Sequence, residues 1–562
     1  MPGSKGYRDA SEYIIDQLRD TGLEVEFINL GDTVYYSRPP GWTVKNAWIK
    51  WRDAKWEFNS IATLLAAYSH GTRGNVIEAD VTTGKCSGKG VLLTSKNPVV
   101  LYKECGDQLN TFDALLYYVD NENRTPSGFP YIRIPVFLSK KLDIPVFTVS
   151  RLLAQRIIRK NSKVELFADI DTREHSIPII RAGVYGKLDE YVVGISHLCH
   201  PQPGANDNAS GAATLLWIAS KLASLEKEGW HPRFGIKLFW VPEYLGTFYA
   251  LEDRFLDPGK ALFAVNLDMV GGDPAINGGS LNLIETSPSR PGLEESVASY
   301  FLEKEFSSNK SWAGYSSVPK APIVNGAVFE FGSDHDALSS YGIPAIMLNQ
   351  WPDRFYHTNE DSPDKISPFM LEAVGRVTLE TVKFISNMKE EDAERYSSMA
   401  WRYVFRVLTR IYGGDQGQIL PGIRAFQTRL SLVKVEGYSA SIKSFMEEQL
   451  HRMKILVESL LYLNTKYDAD KCFGDESYAP IHKYPPGWIV EKLNVDLADK
   501  WYDPKIRTLL VEFYRLANNG FRGTEIEEYL KGYYGLKDST DLCVVKDFIR
   551  ELEKMNILRI VR

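Results

Sequence analysis

The sequence predicts an α/β fold, a mostly parallel mixed sheet with helices on both faces. Three observations carry this. The stretch Tyr191 to Leu216 passes from an apolar run into a loop of Pro, Gly and Asn, and Ala209 to Ser224 is then a strong helix former. Strand, polar loop and helix are the unit of an open α/β sheet. Phe234 to Pro242, Ala261 to Asp268 and Ala345 to Leu348 are near-continuous apolar runs, as expected of strands buried on both faces. Finally, Pro368 to Asn387 reads as a helix that closes the pattern.

The chain has 562 residues, too long for one ordinary core, so two to four domains are expected. Hydrophobic residues make up 44% and charged residues 25%, the balance of a globular chain. A formal charge of −6 is mild for this size and argues against a chain built mainly to hold nucleic acid or an anionic membrane. The start, Met-Pro-Gly-Ser-Lys-Gly-Tyr, lacks the apolar core of a signal peptide, and no apolar run is long enough to span a bilayer. The five cysteines, Cys86, Cys105, Cys199, Cys472 and Cys543, are scattered and odd in number. They suggest neither a disulfide framework nor a cysteine zinc site, and a reducing cytoplasm is the expected compartment.

Taken in order, Ala10, Tyr13, Ile14 and Leu18 sit at helical spacing, with Gly22 where a helix would stop. Leu23 to Leu30 alternates as a strand. Thr33 to Trp56, rich in Tyr, Trp and Pro, reads as irregular structure or short strands, and Ser60 to Tyr68 as a short helix. Gly90 to Arg159 forms a unit of its own: strands at Gly90 to Thr94, Phe112 to Asp120 and Ile144 to Ser150, then a helix over Arg151 to Ile158. That order resembles the protease-associated domain inserted in some zinc exopeptidases, which implies a lid or substrate-access lobe. The plainer reading is an extra α/β lobe with no separate task. Beyond residue 390 the character changes. Ala393 to Tyr412 and Ser439 to Tyr467 read as long amphipathic helices and Tyr484-Pro-Pro-Gly-Trp as a linker. Helices over Ile506 to Ala517, Gly523 to Tyr533 and Leu542 to Met555 precede a strand at Ile557 to Val561, a series that resembles a winged helix. The expected division is therefore 1–40 with 182–390 as one domain, 41–181 as an inserted lobe, 391–485 as a helical region and 486–562 as a winged-helix-like domain.

The later strands each end in groups that a metal site needs. His197 and His200 follow the first apolar strand, and Asp207 lies in the loop after it. Glu243 ends the next strand, with Tyr244 and Gly246 behind it; Asp268 ends the third. Asp334, His335 and Asp336 sit in a loop, and His357 and Asp361 follow the last strand. Ligands of open sheets collect at the carboxyl ends of strands. Buried acids gathered there repel one another, and a divalent cation resolves this. A lone His beside a strand end is more often a hydrogen-bonded histidine, and Asn-Asp-Asn before Ser-Gly can be a turn and helix cap. The repetition over several strand ends is what favours a metal.

Gly-Ala-Asn-Asp207-Asn-Ala-Ser-Gly, Pro-Glu243 with Gly246, Asn-Leu-Asp268-Met-Val, Gly-Ser-Asp334-His335 and Tyr-His357-Thr with Asp361 together resemble the zinc aminopeptidases of the phosphorylase-like α/β fold. That group includes leucyl-type bacterial aminopeptidases and glutamate carboxypeptidase relatives. The resemblance implies the zinc exopeptidase fold and one or two zinc ions per chain. It implies that Asp207 bridges two ions, that Asp268 and one of His197 and His200 complete one of them, and that His357 binds the other. Glu243 would be the general base. Asp361 would orient His357, His335 would line the substrate pocket, and Asp334 and Tyr244 would stand beside the ions or the substrate. Two departures matter. Tyr244 stands where the family has a ligating Glu, which leaves the second ion weak, absent or held by Glu243. Cys199 replaces the Asp of a His-x-Asp pair, and the Cys-His-Pro of a less characterised branch favours His200 over His197 as ligand.

The implied activity is a metallo-aminopeptidase acting on peptides. The alternative is a peptidase-like scaffold that binds peptides or proteins without cutting; retention of Glu243 argues against it. A DNA-binding regulator is the other alternative. Residues 503–562 hold 11 Lys and Arg against 10 Asp and Glu, and the third helix mixes Lys546, Arg550 and Lys554 with Asp547, Glu551 and Glu553. A reading helix should be more basic, so nucleic acid is disfavoured and a protein-contact or subunit-docking role preferred. No membrane is implied, and a homo-oligomer stays open.

Overall fold

A computed structural model describes residues 1–58, 64–160, 163–307, 309–310, 313–314, 317–433, 440–461 and 471–561. Its main sheet has eight strands in the order Glu24–Asn29, Pro178–Val184, Phe234–Val241, Leu188–His197, Ala261–Leu267, Ala345–Trp351, Ser280–Ile284, Ile323–Ala327. The four middle strands of this order, from Phe234–Val241 to Ala345–Trp351, run parallel. Antiparallel pairs flank them on both sides. The α/β class with a mostly parallel mixed sheet is therefore what the chain forms.

The two-residue period of the strands sorts their side chains between two layers. Val192, Leu238 and Trp240 meet Leu215, Ile218 and Leu222 of helix Gly211–Lys227 and Val374 and Val377 of helix Pro368–Ser386. Val193, Ile195, Phe239 and Val241 point the other way, onto Leu245 and Leu251 of helix Leu245–Glu252 and Leu338 of helix Asp334–Ser340. With apolar layers on both faces, chemistry is left to the strand ends.

A second sheet of seven strands lies between residues 43 and 171, in the order Ala54–Glu57, Thr43–Trp51, Lys163–Asp171, Ile77–Thr82, Val91–Thr94, Ala114–Tyr117, Val146–Thr148. The short helix expected over 60–68 falls partly outside the described residues, and 64–68 hold no helix. One face of this lobe shares a core with the end of the chain. Leu101, Ile134 and Leu138 lie in one apolar cluster with Ile489, Leu497, Trp501 and Phe513. Lys103 adds two hydrogen bonds across the seam, to the carbonyls of Glu491 and Leu493 at 2.7 and 2.6 Å.

Beyond the main sheet come helices Ala393–Tyr412, Ile419–Leu432 and Ala440–Leu461. Residues 462–467 of the expected long helix lie outside the described residues. Strand Ser477–Pro480, not anticipated, pairs antiparallel with Leu558–Val561. Around this pair pack helices Pro504–Asn518, Gly523–Tyr534 and Thr540–Lys554. Two expectations need correction here. Tyr484, read as part of a linker, is fully buried against Tyr35, Phe248 and Val511; its Pro-Pro-Gly neighbours gave it the look of a loop, while its ring is core. Cys86 bonds Cys105 and Cys472 bonds Cys543, and only Cys199 is free. The scattered spacing hid pairs that meet through the fold, and the ground for a reducing compartment falls with them. No helix among the described residues is long and apolar enough to cross a membrane.

Candidate metal centre

The chain turns away from strand Leu188–His197 where its two parallel neighbours diverge, the crevice in which open α/β sheets hold ligands. His197 is the last residue of that strand and is buried. Its Nδ1 lies 2.8 Å from the Cys199 carbonyl oxygen. A carbonyl only accepts, so Nδ1 carries the proton and Nε2 presents a lone pair. That lone pair faces Asp268 Oδ1 at 3.2 Å and Asp207 Oδ1 at 3.4 Å. His200 repeats the device. Its Nδ1–H donates to the Gln202 carbonyl at 2.8 Å, and its Nε2 faces Asp207 Oδ2 at 3.1 Å. This buried Nε2 has no hydrogen-bond partner. His357 Nε2 closes on the same oxygen at 3.2 Å.

Asp207 thus turns one oxygen to His197 and the other to His200 and His357. Its position comes from two asparagines and Asp361. Asn206 Oδ1 accepts from the amides of Gly271 and Gly272 at 3.0 and 2.9 Å. Asn208 donates from Nδ2 to the Leu267 carbonyl at 3.0 Å and accepts from Met269 N–H at 3.1 Å. The Asp207 loop is so tied to the end of the adjoining strand. Asp361 accepts from the amides of Asn206 and Asp207 at 2.7 and 2.9 Å. The expectation that Asp361 orients His357 is corrected: its two oxygens are spent on the backbone of the Asp207 loop.

Glu243 follows strand Phe234–Val241, its amide donating to Cys199 Sγ at 3.1 Å. The next residue, Tyr244, has a positive φ of 57° and carries its side chain away from the histidines. The Tyr244 hydroxyl donates to Asp336 Oδ2 at 3.0 Å. Asp334 fixes this turn, accepting from Tyr244 N–H at 2.8 Å and from the Thr247 hydroxyl at 2.6 Å. His335 is fully buried, with Nε2 2.9 Å from the Glu330 carbonyl and its ring on Phe329. It is a packed core histidine, not the pocket-lining group expected; burial lowers its pKa to about 4.

Two triads of donors result, His200 with Asp207 and His357, and His197 with Glu243 and Asp268; within each, the donor atoms lie within 4.8 Å of one another. The sequence reading made one histidine of the 197–200 pair a ligand and the other a bystander. The structure puts one in each triad, three residues of irregular backbone being enough to turn them to opposite sides of Asp207. Lone pairs of imidazole facing carboxylate oxygens at 3.1 to 3.4 Å repel unless a proton or cation lies between them. Nitrogen and oxygen donors in this arrangement fit zinc. The electrostatics agree with a site built for positive charge. Burial works against ionised Asp207, but His200 and His357 outweigh it and hold its pKa well below the ordinary range. Burial likewise opposes a charged His197, but Asp268 and Glu243 outweigh it and raise its pKa. Burial lowers His357 and lifts Glu243 to about 8, and Asp334 and Asp361 to about 6 each.

Residues of the inserted lobe reach the same place, which sequence reasoning missed. Tyr131 N–H donates to the His357 carbonyl, its hydroxyl to the Pro203 carbonyl, and its ring stands edge-on to His200 at 5.0 Å. Arg124 lies 4.3 Å from the Tyr356 ring, which stacks on His357 at 3.7 Å. A tyrosine and an arginine in a polar loop give no periodic signal, so nothing in the sequence marked them.

Residues 180–382 match the model of peptidase family M28. That stretch contains every candidate ligand named above. Three solved structures are similar over longer spans. A putative peptidase from Clostridium acetobutylicum is 14% identical, covering 82% of this chain and 91% of its own, with a TM-score of 0.48. BSAP, a zinc aminopeptidase from Bacillus subtilis, is 18% identical, covering 70% and 91%, at 0.49. A peptidase M28 precursor from Shewanella amazonensis is 16% identical, covering 69% and 90%, at 0.50. Among curated proteins compared with the chain, none matches. The match over residues 180–382 supports a peptide hydrolase.

Proposed function

From the M28 domain as premise, we propose that the chain is a zinc-dependent aminopeptidase with two ions, one on His200, Asp207 and His357, the other on His197, Asp207 and Asp268. The observation that carries this is the shared carboxylate of Asp207, with a fixed imidazole lone pair aimed at each of its oxygens. The name of the Bacillus subtilis relative, a zinc aminopeptidase, points the same way.

Zinc bound there supplies Lewis acidity at the scissile carbonyl and makes water acidic enough to lose a proton near neutral pH. Glu243 is the base that takes that proton and returns it to the leaving amine. Its amide anchor on Cys199 and the Asp334-held turn behind it keep the carboxylate at the rim of the His197 triad. Tyr131 and the Tyr356 ring flank His200 and His357 and hold their rings in place.

The test is metal content beside turnover. With zinc or cobalt and an aminoacyl chromogenic substrate, the wild-type chain is expected to turn over with two ions bound. Glu243→Gln is expected to keep both ions and lose about 10²- to 10⁴-fold in rate. Loss of an ion in that variant would make Glu243 a ligand. Absence of turnover in the folded, metal-loaded wild type would leave a peptide-binding scaffold instead.

A further inference from the structure

Segment 124–131 of the inserted lobe runs alongside the loop that carries His357. Pro130 bridges Thr358 in antiparallel fashion. Phe129 N–H donates to Asn359 Oδ1 at 2.7 Å, and Asn359 N–H returns a bond to the Phe129 carbonyl at 3.1 Å. Thr125 donates twice, from its amide to the Arg354 carbonyl at 3.0 Å and from its hydroxyl to Glu360 Oε2 at 2.6 Å. The Arg124 guanidinium donates to the Tyr356 carbonyl. The far end of the segment is fixed to the lobe itself: Ala67 N–H donates to the Ile132 carbonyl, and Ile134 N–H to the Ala67 carbonyl, each at 2.9 Å.

Tyr131, buried at the end of this strap, joins the His357 loop to a second loop. Its N–H donates to the His357 carbonyl at 2.6 Å. Its hydroxyl donates at 2.5 Å to the carbonyl of Pro203, the residue after Gln202, whose own carbonyl fixes the His200 proton. Its ring stands 5.0 Å from that of His200, which in turn stands 5.0 Å from that of His357. One residue thus spans the two loops that bring His200 and His357 to Asp207. His357 is where such a hold matters, because its φ of 55° is left-handed at a residue with a Cβ, a conformation that persists where the surroundings fix it.

The His197 triad draws its support from elsewhere. His197 is fixed by the Cys199 carbonyl, Glu243 N–H donates to Cys199 Sγ, and Asp268 N–H donates to the Leu348 carbonyl at 3.2 Å. Asp207, common to both sides, is held by Asp361 and by the asparagines that flank it.

We propose that Tyr131 is a positioning residue for one of the two ions: it keeps the His200 and His357 loops at the spacing that ion requires, so that the inserted lobe sets the affinity of the His200–Asp207–His357 site and not that of the other. The inference rests on the two-ion reading. Loops already ordered by the strap need no further ordering when the ion enters, and outer contacts of this kind govern how tightly ligands hold a metal.

The experiment titrates zinc into the full chain against a chromogenic chelator, which yields one dissociation constant for each ion. His200→Ala identifies the constant that belongs to the His200 triad, since that one disappears. Tyr131→Phe, which keeps the ring and loses the hydroxyl, is expected to weaken this constant about tenfold, and Tyr131→Leu about a hundredfold. Thr125→Val, further along the strap, should weaken it about threefold. The other constant should stay within about twofold in all three variants. Equal weakening of both constants would make Tyr131 a general structural residue and overturn the inference, as would a His200-site constant unchanged in Tyr131→Phe and Thr125→Val. Should Tyr131→Leu not fold, those two variants decide. A wild-type chain in which His200→Ala removes no ion overturns the two-ion reading and the inference with it; two ions with unaltered constants overturn the inference alone.

Discussion

Two clusters of buried carboxylates lie on either side of the Glu243–Tyr244 turn. They are solved in opposite ways. Asp336 meets Arg515 and accepts from the hydroxyls of Tyr244 and Tyr484. Glu512, beside it, accepts from the Ser287 hydroxyl at 2.9 Å and from Arg515. Here the two carboxylates share one cation, Arg515, supplied by the chain itself. Across the turn, Asp207 and Asp268 face imidazole nitrogens whose protons are committed to backbone carbonyls on the far side of each ring. The positive charge there is left to a proton on an imidazole or to a bound cation. The difference teaches how to separate a structural charge cluster from a metal site when both are buried and acidic: the question is which way the imidazole protons point.

The sharpest way to break the comparison is at the self-sufficient cluster. Arg515→Met leaves Asp336 and Glu512 buried without their cation and should cost about 3–5 kcal/mol of unfolding free energy, read by denaturant titration. Adding zinc should not recover it. Removing metal with a chelator is the converse operation. It should lower stability by about 3 kcal/mol for each ion relative to protein in zinc at a hundredfold over its Kd, and zinc should restore it. In His200→Ala the metal content should fall from two ions towards one, measured by elemental analysis, because Asp268 and His197 remain. The smallest effect concerns Asp334. Burial raises its pKa to about 6 from the ordinary 3.8, so the folded state holds this proton more tightly than the unfolded one. Its contribution to stability is greatest below pH 4 and is lost as pH rises from 3.8 through 6. In chelated protein, Asp334→Asn should therefore flatten the decline between pH 4 and pH 7 by of order 2 kcal/mol.

Much of the sheet was legible because its central strands are apolar without interruption and end abruptly in His, Glu or Asp. Burial on both faces forces the first property, and ligand chemistry at the crevice the second. Asp207, Asp268, Glu243 and His357 were visible for that reason. That His197 and His200 each join a different group of donors was not legible, since the answer lies in two backbone carbonyls, of Cys199 and Gln202, that fix each tautomer. Asp361 was placed near the site but given the wrong partner, because sequence spacing cannot tell a side chain from a loop amide as the acceptor's target. Tyr484 was misread through its Pro-Pro-Gly neighbours. The cysteine pairs, one spanning 71 residues, carry no local signature at all.

The shared core between the lobe and the last helices bears on how this protein can be cut. Leu101, Ile134 and Leu138 are kept dry by Ile489, Leu497 and Trp501, residues that stand far beyond the M28 stretch. A clone ended after the main sheet would keep every zinc donor and still bare this oily patch, and it should emerge from expression as aggregate. The tail thus covers apolar surface that the protein needs hidden, and any minimal version has to carry it or repaint what it covers.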